Sequence, residues 1–288
     1  MTTFSTPQPA VDRRAKAAFA SSQLRWWLFL PAGILVLIAL IGPTVLPYDP
    51  VDIVGVPSQA PNADHWFGTD QNGMDVFSRV IAAARTNMFV AALAAIGSTL
   101  IGIVIGVIGG MNEPVRGLRG FLARTLARSV EILDAVPAII VGLVLVALFG
   151  PSTTTIIVVL IVVSLARQSK LVRTEVLKVR GDSFVDAARM AGALETNIMF
   201  TTVLPNSIRP ALENFSATFG LAIIVEAALG FLGVGMPPPT PEWGTMIATG
   251  AADALNFRWW GAAFPTAALI VTVSSIAIAG SEILRKRH

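Results

Sequence analysis

Cysteine is absent from all 288 residues, which excludes disulfides, thiolate metal sites and cysteine nucleophiles. Histidine is nearly absent, and His65 and His288 lie too far apart in the chain to suggest a zinc cluster. Charge is scarce as well: 14% of residues are charged against 54% hydrophobic, where a soluble domain carries about 25% charged residues. With a mean hydropathy of +0.69, the chain is an integral membrane protein. No G-x-x-x-x-G-K-[ST] loop occurs, so the chain has no cradle for ATP phosphates, and no Ser/His/Asp or metal-ligating set can be picked out. The sequence pI of about 9.8 accompanies a net charge of only +3, so the basic residues read as membrane-orienting and not as a nucleic-acid surface.

Apolar length is what the sequence has in abundance. Six stretches approach the roughly 20 helical residues that cross a hydrocarbon core: 26–46, 86–110, 132–149, 155–165 with its flanks, 208–234 and 261–284. The expected class is all-α with six transmembrane helices. Arg167 and Lys170 shorten the fourth span unless they snorkel, and a count of five would place the termini on opposite sides. Gly150, Pro151 and Ser152 alone separate the third and fourth spans, which implies a tight helical hairpin. The resulting division is a tail at 1–25, a first transmembrane helix at 26–46, an external segment at 47–85, a core at 86–284 with a polar loop at about 170–207, and a tail at 285–288. The first span lacks a cleavage site and reads as an anchor, not a secretory signal. Of the 21 basic residues, all but Arg79, Arg85 and Arg258 fall on one side of this arrangement. The positive-inside rule makes that side cytoplasmic, with both termini.

Between the fourth and fifth spans, 184–206 reads FVDAARMAGALETNIMFTTVLPN. The stretch from Ser183 to Ala191 is rich in helix formers, and its small side chains let another protein approach the backbone. Asp186 falls in the first turn, where a carboxylate suits the positive helix end. Gly192 permits a sharp turn, and Pro205 sits where a following membrane helix could begin. In the second span, Ser98, Gly102, Gly106 and Gly110 recur every four residues as a ridge for close helix packing. Glu226 is the deepest carboxylate within a span. It either lines a cavity or bonds neighbouring helices.

The pattern of Asp186, Ala187, Ala188, Gly192, Leu204 and Pro205 resembles the E-A-A-x-x-x-G and x-L-P elements of the cytoplasmic coupling loop in ATP-binding-cassette importer permeases. Asp186 is one methylene shorter than the usual Glu, and Thr202 takes a usually apolar position. His65 to Arg79 resembles the H-x-F-G-T-D-x-x-G-x-D-V-x-S-R signature of the permeases for dipeptides, oligopeptides and nickel. The segments 230–235 and 237–244 resemble the F-L-G-x-G and P-x-P-x-W-G segments of the same group.

The resemblance implies the type I importer permease fold in a bacterial inner membrane. The chain would be a non-catalytic subunit, paired with a second permease as a heterodimer, embedded in lipid and served by an external solute-binding protein. ATP and Mg would belong to two separate ATPase subunits, which would grip Asp186, Ala187, Ala188, Gly192, Leu204 and Pro205. The chain itself would bind no cofactor, metal or nucleic acid. Phe67, Gly68, Asp70 and Trp243 would form an external rim for the binding protein, or shape turns and interface positions, with Asp70 as a helix cap. Di- or oligopeptides are the expected cargo, nickel chelate the alternative, and transport without ATP the reading from another class.

Overall fold

A computed structural model describes residues 26–113 and 115–285; the expected tails at 1–25 and 286–288 lie outside the described residues. Among the described residues helices dominate, the longest non-helical stretch is 45–75, and the β pairing is a single bridge between Thr69 and Asp75. The first helix, α1 (Leu30–Ile41), follows a short 3-10 turn at Trp26–Phe29 and is apolar on nearly every face, with Ala39 its buried residue. Such all-round apolarity suits lipid or a partner's helices.

The second helix, α2 (Val76–Asn112), begins ten residues before the expected start of the second span at 86. Hydropathy misplaces this start because Ser78, Arg79 and Arg85 dilute the apolar signal, although the residues are good helix formers. The start is set by Asp75, whose carboxylate accepts from the Ser78 N–H at 2.8 Å. Asp70, the expected cap, instead accepts from the N–H groups of Asn72 and Met74 within its own turn and lies 3.5 Å from Arg79.

Residues 118–149 form two helices, α3 (Leu118–Ala135) and α4 (Ala138–Phe149), bent by 100° at Val136-Pro137. A residue before proline is pushed out of the helical region, and Val136 sits at φ −87°, ψ 130°. The expected uniform span at 132–149 is therefore broken. Gly150 turns at φ +79°, and the Ser152 hydroxyl caps α5 (Thr153–Arg180), completing the expected hairpin. α5 continues through Arg167 and Lys170 for 28 residues, about 42 Å, well past the expected end at 165. Long basic side chains are good helix formers, so they end the apolar run without ending the helix.

α6 (Ser183–Met190) and α7 (Glu195–Ile198) follow, then a π-helical turn at Met199–Val203, α8 (Leu204–Ser207) and α9 (Arg209–Glu213). Pro205 offers no N–H to the preceding turn, and the Leu204 N–H reaches back to Met199 in π fashion. α10 (Phe215–Phe231) is bent 45° from the Glu195–Glu213 run. α11 (Trp243–Ala254) is a short helix that the sequence reading did not anticipate, and α12 (Trp260–Arg285) closes the described chain. Among the described residues, four helices are long and apolar enough to span a membrane singly, or up to six spans result if each bent pair counts as one.

The packing centre is α2 against α5. A Cβ added at Gly102 would lie 2.6 Å from Gln168 Cβ, one at Gly106 2.6 Å from Val172 Cβ, and one at Gly110 2.5 Å from Val176 Cγ1. The four-residue ridge read from the sequence is thus the groove into which α5 descends. Gly106→Val should therefore force the helices apart and cost about 1–3 kcal/mol. Gly109→Ala, whose added carbon meets nothing nearer than Arg173 Cδ at 3.6 Å, should be tolerated. Thermal unfolding of the two variants in detergent checks the difference; equal midpoints would refute the ridge.

Candidate coupling surface and buried carboxyl centre

The 183–206 loop buries Val185, Ile198 and Val203 and leaves several other side chains outside. Val185 is fully buried among Val172, Val176 and Val179 of α5, and so seats α6 against the long helix. Asp186 and Ala187 face outward, Ala188 is half-buried, and Met190 is 84% exposed. Gly192 adopts φ +84°, its N–H bonding to the Arg189 carbonyl while the Ala193 N–H bonds to that of Ala188. This pair of bonds is a Schellman stop, which needs a left-handed residue at Gly192. Leu204 is half-buried against the same apolar cluster, and Pro205 is exposed.

The structure adds a residue that sequence reasoning missed. Arg189 donates from Nη1 to Asp186 at 2.9 Å and from Nε to Glu195 at 2.7 Å. It bridges the two arms of the loop, so Asp186 acts on a neighbouring guanidinium as well as on the helix end. The three-residue spacing of Asp186 and Arg189 was a readable signal. Phe184, Leu194 and Phe200 are also exposed, so apolar knobs surround the ion-paired helix. Such a patch suits contact with another protein or with the membrane surface.

The segment between α1 and α2 is folded tightly onto the helices. Phe67 stacks on Phe264 at 3.9 Å, the Trp260 indole donates to the Thr69 carbonyl at 3.0 Å, and His65 Nδ1 lies 2.9 Å from Asp75. Gly68 turns at φ +73° against the Gln59 carbonyl, where no side chain would fit. Trp243, expected at the rim or the membrane interface, is instead buried at 1% exposure, its indole donating to the Val80 carbonyl at 3.1 Å. Trp66, Phe257 and Trp259 hold the exposed aromatic positions.

Glu226 is enclosed in the chain. Its Oε1 accepts from Asn87 Nδ2 at 2.9 Å, and Asn87 Oδ1 accepts from the Trp243 N–H at 3.1 Å. This chain of bonds ties α10 to α2 and α11, the second of the two readings open from the sequence. One turn further along α10, Gly230 carries the carboxylate of Glu242 directly on its backbone, with Gly235 on the other side. The glycines of the 230–235 segment thus form a cradle for a carboxyl group. Glu242 in turn accepts from the Gly244 N–H at 3.1 Å and caps α11. One oxygen of each acid, Oε2 of Glu226 and Oε2 of Glu242, is buried without a hydrogen-bond partner.

Two larger cavities open elsewhere, toward the end of the bundle where the basic residues collect. One of about 580 Å³ is lined by Arg167, Asn214, Ser216, Gly220 and Leu221 among others. The second, about 310 Å³, includes Asp134, Pro137, Ser164, Arg167 and Thr218. Glu226 lines neither.

Helices long and apolar enough to span a membrane, packed on a glycine ridge with a short ion-bridged helix held outside them, set out a multi-span membrane fold. The chain belongs to the family of binding-protein-dependent transport system inner membrane components, whose family model matches residues 76–287, beginning where α2 begins. It is 33% identical over 254 residues to the di/tripeptide transport system permease protein of Pseudomonas aeruginosa, covering 86% of this chain and 82% of that one. It is 32% identical to the dipeptide transport system permease protein of Bacillus subtilis, covering 95% and 82%. A glutathione transport system permease protein of Pectobacterium atrosepticum is 30% identical over 89% and 85%. The fold matches the inward-facing MetNI methionine ABC transporter with a TM-score of 0.58 at 20% identity, covering 72% of this chain and 95% of that one.

Burial pushes the Glu242 carboxyl up to about 7, offset only in part by backbone N–H groups led by that of Gly244. The folded chain then keeps a proton that the unfolded chain, with its carboxyl near 4.5, has released. The contribution of Glu242 to stability should therefore fall as pH rises from about 4.5 to about 7, by on the order of 3 kcal/mol. Thermal midpoints in detergent across that window test this, and Glu242→Gln should make the slope shallower. An unchanged slope in the variant would assign the effect to another group.

Proposed function

We propose that this chain is one of two permease subunits of an ATP-driven importer for di- or oligopeptides in a bacterial inner membrane. The observation that carries the reading is its likeness to dipeptide permeases across 86% and 95% of its length. In this reading the chain is non-catalytic, and a second permease completes the passage. Two ATPase subunits that hold ATP and Mg dock on Asp186, Ala187, Ala188, Gly192, Leu204 and Pro205. An external solute-binding protein delivers peptide to the opposite face, where Phe67, Gly68 and Asp70 stand among the outer turns. Both termini are cytoplasmic, because the basic residues crowd that side.

The α6 surface is suited to receive force. Val185 roots it in the apolar cluster of α5, while the Arg189 bridge keeps the α6 and α7 arms together. ATPase closure pushing on α6 would move the base of the bundle and switch the cavity between its two openings.

Gly192→Val tests the coupling role. Nothing lies within 4 Å of the added carbon, so the penalty comes from φ +84° alone, which a β-branched residue resists by about 1–3 kcal/mol. Uptake and peptide-stimulated ATP hydrolysis should fall while the subunit still inserts. Asp186→Lys should act likewise by placing a cation beside Arg189. Normal coupling in both variants, measured in membranes holding the full complex, would remove α6 as the energy-transmitting contact. Orientation is checked in this cysteine-free chain by Gln71→Cys and Ser183→Cys. An impermeant thiol reagent added outside should label position 71 only; labelling of 183 alone would invert the topology.

A further inference from the structure

Cations along α5 are matched in turn by partners within the chain. Lys170 lies 3.6 Å from Asp134, Arg173 pairs with Glu113 at 2.8 Å and with Glu131 at 3.2 Å, Lys178 meets Glu175 at 3.2 Å, and Arg180 donates to the Met111 carbonyl. Arg167 differs. Among the described residues it makes no ion pair, although it lies about 21 Å along α5 from Thr153, within the depth of an apolar core about 30 Å thick. A cation held at that depth needs a polar cavity or an anion, since exposure to hydrocarbon costs several kcal/mol.

The cavities supply the setting. Arg167 and Leu221 line both, so the guanidinium stands where one space adjoins the other. The remaining walls mix short polar groups, Ser164, Asn214 and Thr218, with apolar ones such as Val163 and Ile224. Their volumes of about 580 and 310 Å³ fall in the range of about 300–1,000 Å³ typical of small-molecule sites. Two acids line these cavities: Asp134 is engaged by Lys170 in the smaller one, and Glu213 in the larger one has an interaction of its own. With no ion pair to either among the described residues, Arg167 is open to an anion that arrives from outside the chain. A carboxylate matches the guanidinium fork with two parallel hydrogen bonds.

We infer that Arg167 receives the C-terminal carboxylate of the peptide as it passes through these cavities, while the peptide side chains lie on the mixed walls. This inference rests on the reading of the chain as a peptide permease. It assigns Arg167 a positioning role for the cargo and no part in docking the ATPases.

The test uses the complete complex in proteoliposomes, with its second permease, ATPases and binding protein. A free-acid dipeptide and its C-terminal amide are each supplied at saturation of the binding protein. The wild-type complex should favour the free acid. Arg167→Gln should lower free-acid uptake about tenfold or more, the loss expected for one charge-assisted contact. It should also collapse the acid-to-amide ratio. Arg167→Lys, which keeps the charge without the fork, should retain part of the preference. An unchanged ratio in Arg167→Gln would overturn the inference. So would loss of the second permease from the purified complex in both variants, which would make Arg167 a subunit contact. A wild-type complex that moves neither peptide would instead refute the peptide-permease reading itself.

Discussion

The close approach of α2 and α5 is the constraint on which the rest of the chain depends. In lipid there is no hydrophobic effect to drive helices together, so contact comes from backbone proximity and dispersion, and that requires side chains to be missing. Gly102, Gly106 and Gly110 provide the gap, and Gln168, Val172 and Val176 fill it. Gln168 then reaches Thr99 at 3.1 Å and Thr218 at 2.9 Å, fixing α10 to the same pair by polar contacts. The loop that carries α6 hangs from the lower part of α5, through Val185. The outer elements join at the opposite end through Asn87, Glu226 and Trp243. Both candidate surfaces inherit their positions from one helix pair.

Much of this was readable because small residues and apolar length leave direct marks in a sequence. The ridge, the hairpin at Gly150-Pro151-Ser152 and the turn at Gly192 follow from residue types whose backbone freedom or missing side chain has no other use there. Boundaries were less readable. Hydropathy registers where charge stops, and α2 begins ten residues before that point because Asp75 caps it, while α5 outlasts the apolar run because Arg167 and Lys170 favour helix. The break at Val136-Pro137 was written in the proline but was masked by apolar residues on both sides.

Side-chain destinations were the hardest to read. A tryptophan in a membrane protein suggests the interface, yet Trp243 is buried because the Asn87 and Val80 backbone and side-chain acceptors lie beside it in space, from a helix more than 150 residues earlier. Glu226 carried the same ambiguity, since a deep carboxylate can face a passage or a neighbouring helix, and only the position of Asn87 decides. Arg189 illustrates the opposite case. Its spacing from Asp186 was visible, but its second partner, Glu195, becomes a neighbour only after the chain has turned at Gly192.

The unbroken length of α5 has a mechanical consequence. It is a rigid rod whose lower part holds α6 and whose upper end joins the α4 hairpin, with no proline or glycine in between to absorb rotation. A tilt of about 5° over about 42 Å displaces one end by about 4 Å relative to the other, about two-thirds of the rise of one helical turn. Any travel of the loop would thereby be carried across the thickness of the bundle by one unbroken helix lying in the glycine groove of α2.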